Sequence, residues 1–186
     1  MSATSAPYGF VPVRHPLGND NPTPYPIAAA YATQINKGMP VILNTNGTIT
    51  AGTTAADLLG IFMGVEYTDS TGRRVVSNFW PTGGVSGATN IVAWVSDTPG
   101  TVYSVMASGP VALTAVGDQS DVINPTNQVA GFSTCGLNAT LAGATVQGQF
   151  RIVDLDRSVD NDWGDAFTKV LVTLARHQFI ANKVAI

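Results

Sequence analysis

Residues 58–81, LLGIFMGVEYTDSTGRRVVSNFWP, restrict the fold more than any other stretch of this chain. Leu59, Ile61, Met63, Val65 and Tyr67 alternate with Phe62 and Glu66, which is the period of a strand and not of a helix. At the centre, residues 68–72 gather turn formers between two β-rich runs, and Gly72 supplies the positive φ that closes a short loop. Arg73, Val75, Ser77 and Phe79 then alternate with Arg74, Val76, Asn78 and Trp80, until Pro81, which has no N–H to donate, ends the ladder. The stretch reads as a hairpin. Both of its faces carry apolar side chains, so it is expected to lie between other elements.

A helical alternative lacks suitable residues. Of the twelve acidic residues only Glu66 is a glutamate, charged residues make up 11% of the chain, and Gly, Thr, Val, Ala and Asn dominate what remains. So little charge also leaves less than usual to coat a monomer's surface, which points to assembly with other subunits. The 186 residues suffice for one β domain with an arm.

The arm is residues 1–26. Pro7, Pro12, Pro16, Pro22, Pro24 and Pro26 are too many for a helix or a sheet interior, so the segment is expected to be extended. Tyr8, Phe10 and Val11 have no core within it and must dock either on this domain or on a neighbouring subunit. Residues 27–186 read as a single β domain, with strands expected at 28–35, 38–43, 48–50, 90–95, 101–107, 149–155 and 167–174. Asn46-Gly47 marks a tight hairpin turn. Residues 108–148 read as a long exposed loop or irregular excursion, with Leu137 and Leu141 as its main anchors. The expected class is all-β, a β-sandwich of jelly-roll-like type or a barrel, with an extended Pro-rich N-terminal arm.

Reactive constellations are scarce, and no catalytic residue, cofactor or metal site is assigned. His15 lies in the arm and His177 near the far end, so no His pair stands at metal-ligand spacing. Cys135, the only cysteine, reads as a small buried residue and leaves no internal disulfide. Net charge is −3 with nine scattered basic residues, which argues against a nucleic-acid partner. No apolar run approaches a membrane span, and no secretion signal is evident, so a reducing cell interior is expected. Asp154, Asp156, Asp160, Asp162 and Asp165, interleaved with Arg151 and Arg157, read either as a site for a hard cation or as an acidic loop. In the second reading Trp163 anchors the loop and, with Arg157, meets a partner.

Several motifs together resemble structural proteins of tailed bacteriophages. They are Phe10-Val11-Pro12-Val13, Tyr25-Pro26-Ile27-Ala28, Lys37-Gly38-Met39-Pro40-Val41, Leu59-Gly60-Ile61-Phe62-Met63-Gly64-Val65, Trp80-Pro81 and Gly164-Asp165-Ala166-Phe167-Thr168-Lys169. The chain is similar in particular to head decoration, or cement, proteins, over most of its length apart from about 105–148. Its length departs from the shorter members. The resemblance implies a virion protein on the capsid exterior, made in the host bacterial cytoplasm, with the major capsid protein as partner and sister copies paired as a homodimer or homotrimer. Tyr8, Phe10, Val11 and Arg14 would then dock the arm on coat protein or on a sister subunit. The alternative expectation is a phage tail or fibre module, with Trp80, Trp94 or Trp163 stacking on a host-surface glycan.

Overall fold

A computed structural model of the chain describes residues 4–54, 56–126, 128, 129, 131–143 and 145–180. The protein is all-β. Its strands, in chain order, begin with β1 (Val11–Arg14), β2 (Thr23–Tyr25), β3 (Ile35–Asn36), β4 (Pro40–Leu43), β5 (Ile49–Ala51) and β6 (Gly60–Thr68). They continue with β7 (Arg74–Ser77), β8 (Phe79–Trp80), β9 (Thr89–Ser96), β10 (Val102–Met106), β11 (Gln119–Ser120) and β12 (Val122–Ile123). The last are β13 (Gln128–Val129), β14 (Phe132–Ser133), β15 (Gly136–Leu137), β16 (Phe150–Leu155) and β17 (Lys169–Leu174). One short 3-10 turn, Leu113–Ala115, is the only helical element among the described residues, and no helix there is long and apolar enough to cross a membrane.

Two open antiparallel sheets carry the architecture. One runs β1-β10-β17-β16-β11, and the other runs β2-β9-β6-β4-β5 with β7 paired to β6. Ile61, Phe62, Val65, Ala93 and Val95 from the second sheet join Tyr103, Val105, Phe150, Ile152, Val170 and Val172 from the first in one buried cluster, which is the core of a sandwich-like domain. The expected hairpin is β6–β7, with Val65 opposite Ser77 and Thr68 opposite Arg74. At its tip the Asp69 carboxylate accepts from the Thr71 hydroxyl and from the Arg73 and Thr71 N–H groups, which lowers its pKa to about 2. On the other side β6 pairs with β9 through a bulge between Phe62 and Gly64. Ile61 and Phe62 are both buried, so this end of the hairpin is covered on both faces. Gly60 is required here, because a Cβ would stand 2.3 Å from the Ser96 carbonyl oxygen.

Two departures from expectation, and the one alternative left open for the arm, have physical causes. Residues 28–34 are not a strand, and only Ile35–Asn36 pairs, with β8. Their backbone groups go elsewhere: Tyr31 N–H donates to Ala28 O, Val85 N–H to Ala29 O and Gly83 N–H to Ala32 O, so the loop after Pro81 takes the place of a ladder. Residues 4–26 do not stand apart from the body. β1 pairs with β10 and β2 with β9, so the arm supplies an edge strand to each sheet. Within 108–148 the strands are only two residues long, yet Gln119, Ser120, Val122, Cys135 and Leu137 are buried, so the segment is pinned into the core rather than wholly exposed. Buried Gln149 ties it down: its side-chain oxygen accepts from Val122 N–H, and its amide donates to the Thr53 and Ala56 carbonyls at 2.7 Å each.

Candidate functional site

Among the described residues an apolar groove of about 500 Å³ lies between the arm, β7–β8 and the turn at 131–133. Two glycines let its floor form. Gly9 and Gly38 both have positive φ, and a Cβ on Gly9 would stand 2.8 Å from Gly38 O, so only glycine lets the arm lie this close. Phe10 N–H donates to Gly38 O at 2.9 Å, Gly9 N–H to Cys135 O at 3.2 Å, and Lys37 N–H to Asn78 O at 2.9 Å. These bonds join the arm, the β3–β4 connection, the β7–β8 connection and the 133–135 segment. The walls carry Val11, Val76, Phe79 and Phe132, and both Val76 and Phe132 are 75% exposed. The Phe79 ring lies over Gly131, where an added Cβ would meet it at 3.7 Å. Lys37 supplies the single charge of the lining.

Cys135 sits beneath this floor. Burial pushes its thiol up to about 12, and the Ser133 hydroxyl lies 3.0 Å from the sulfur. Alkylation by iodoacetamide at pH 8 is therefore expected to be slower than for a free thiol by about three orders of magnitude, and to return to the ordinary rate in denaturant. A mass-spectrometric time course showing prompt native-state labelling would contradict this placement.

The arm residues singled out from the sequence divide. Tyr8 and Val11 line the groove, and the Tyr8 hydroxyl lies 2.7 Å from Ser104 Oγ, which in turn donates to Asp156. Phe10 is 1% exposed and stacks on Phe150 with ring centroids 4.3 Å apart, so its side chain belongs to the core of its own chain. Arg14 is exposed at the end of β1. Arg157 is exposed and lies 3.4 Å from Asp154, while half-buried Trp163 packs against the core. The groove gathers neither of the last two. Val76, Phe79, Phe132 and Lys37 are the lining residues that sequence reasoning missed. The strict alternation read for residues 73–80 put Val76 and Phe79 on opposite faces, and nothing local joined either of them to Phe132.

The remaining polar candidates are engaged separately. His177 is buried, with Nε2 2.9 Å from Asp97 O and Nδ1 accepting from Phe179 N–H, whereas His15 Nδ1 accepts from Leu17 N–H. In the acidic segment Asp154 accepts from Leu155 N–H, Asp156 from the Ser104 hydroxyl and Asp165 from Asp162 N–H. Among the described residues no three His, Cys, Asp or Glu side chains converge as they would around a metal ion. No family model, curated protein or solved structure matches the chain.

Proposed function

We propose that this chain is a structural virion protein that binds the outside of a bacteriophage capsid and stabilises the shell by clamping neighbouring major capsid protein subunits. The observation that carries the reading is exposed apolar surface on the arm and in the groove: Val11, Val13 and Leu17 are exposed, Leu17 at 85%, and Val11 also lines the groove, whose lining holds a single charge. Exposed apolar surface of this kind marks a place where another protein sits. A clamp must hold two neighbours at once, and the arm face and the groove offer two adjoining contact regions. The work is binding, not a reaction, with no cofactor, nucleic acid or membrane involved. The proposed location is the capsid exterior after synthesis in the bacterial cytoplasm.

The test is sedimentation of the purified protein with shells that lack it, both expanded and unexpanded, followed by heating of the pellets. Co-sedimentation at a fixed copy ratio with a raised shell melting temperature is expected, because a ligand of the assembled state stabilises it by about 2.7 kcal/mol at a hundred times its dissociation constant. Failure to bind either form overturns the proposal.

A second reading, a tail or fibre module that binds a host glycan, is favoured by Trp94. It is 37% exposed on β9, with Pro24 and side-chain-free Gly64 as its cross-strand neighbours, so the ring stands on an uncrowded sheet face. Trp80 is fully buried and Trp163 half-buried, which leaves Trp94 as the tryptophan best placed to stack on sugar. Glycan-array binding lost in Trp94→Ala would support this reading over the first.

A further inference from the structure

The turn at 158–161 presents an apolar side chain entirely to solvent. Asn161 N–H donates to Ser158 O at 3.2 Å, which places Val159 and Asp160 at the two central positions, and Val159 is fully exposed. The turn is built to hold that shape. Asn161 is buried, its amide donates to the carbonyls of Asp156 at 2.6 Å and Lys169 at 2.8 Å, and its oxygen accepts from Lys169 N–H at 2.8 Å. The ordering cost of docking such a tip is already met in the free protein. Turn tips ordinarily carry polar or conformationally special residues, and a valine held there gains nothing within its own chain.

The groove has the converse character. Its walls are apolar, its lining holds no carboxylate, and Lys37 has no ion-pair partner among the described residues. Asp160 is equally without one. From this complementarity we infer that the Val159–Asp160 turn of one copy seats in the groove of a second copy, with Val159 against Phe79 and Phe132 and Asp160 facing Lys37. Each copy carries both the tip and the groove, so the contact closes by reciprocal exchange in a pair or by passing round a ring. The inference stands whether or not the assembled protein coats a shell.

Sedimentation velocity of the full chain over a wide concentration range tests it. Val159→Asp, Lys37→Asp and Asp160→Lys are each expected to raise the self-association constant for dissociation by about tenfold or more. The Lys37→Asp/Asp160→Lys double variant is expected to recover most of that loss, because it restores opposite charges across the contact. All three positions are exposed, so thermal unfolding of the variants should match wild type and separate a lost contact from a lost fold. A wild type that stays monomeric throughout, single variants that associate as wild type does, or a double variant without recovery would each overturn the assignment.

Discussion

Replacing Trp80 by alanine is expected to lower the melting temperature by about 8–16 °C, corresponding to roughly 4 kcal/mol of stability in a chain of this size. Trp80 is fully buried at the end of the central hairpin, its indole N–H donates to Tyr31 O at 2.8 Å, and its ring meets Tyr67 edge-on with centroids 5.7 Å apart. Truncation removes a large apolar group and leaves a cavity that the β3–β8 pair is too short to collapse. It also strands a carbonyl in the segment 28–34, whose backbone depends on such bonds rather than on a ladder. Trp80→Phe separates the two losses: it keeps most of the volume but not the donor, and about 1–3 kcal/mol is expected. Differential scanning calorimetry reads both variants. A shift below about 3 °C for the alanine variant would mean that the loop after Pro81 is held by something other than this side chain.

Phe10→Ala is expected to cost about as much, roughly 3–5 kcal/mol, with a further consequence that most core truncations lack. Phe10 is the point at which the arm enters the core, stacked with an interplanar angle of 17° on Phe150 of β16, in the same sheet that β1 joins. Without it the arm keeps no fully buried aromatic anchor and is held by β1 and β2, short edge strands that each carry a proline, by the backbone bonds around Gly9 and by the side-chain bonds of Tyr8, Asp20, Thr23 and Tyr25. Limited proteolysis should therefore cut the variant within residues 4–26 while the body stays intact, whereas the wild type resists at the same protease level. A double-mutant cycle with Phe150→Ala should show a coupling of about 0.5–1.5 kcal/mol from the stacked pair. If the arm of Phe10→Ala stayed as protected as in wild type, Phe10 would not be the anchor described here.

What was legible from the sequence was local. The alternation of 58–81 and its TDSTG centre marked the β6–β7 hairpin, and Asn46-Gly47 marked the β4–β5 turn, because a two-residue period and a positive-φ residue each report on their own few neighbours. What failed or stayed open depended on distant partners. Residues 28–34 have a strand's composition, but their backbone is satisfied by residues 83–85, which no local pattern reveals. The arm's position depended on which residues β1 and β2 pair with, far along the chain. The groove was the least legible feature, since Lys37, Phe79 and Phe132 meet only once three separate segments are folded together. Adjacency in sequence left the cluster of aspartates open as a cation site or an acidic loop; in the fold Asp154, Asp156 and Asp165 each accept a separate hydrogen bond.

Pairing of the arm with both sheets also sets a problem of timing during synthesis. Val11 must wait for Ser104 and Thr23 for Val95, so two strands leave the ribosome long before their partners exist. An unpaired strand in that interval invites pairing with the wrong chain. Pro12 and Pro24 lie in the middle of these two strands, opposite Tyr103 and Trp94 in the finished fold. A proline there removes one donor from each waiting strand and holds it in an extended form that adds poorly to a foreign sheet. Pro12 and Pro24 are thus expected to limit pairing of these two strands with foreign sheets until the strands that complete them have been made.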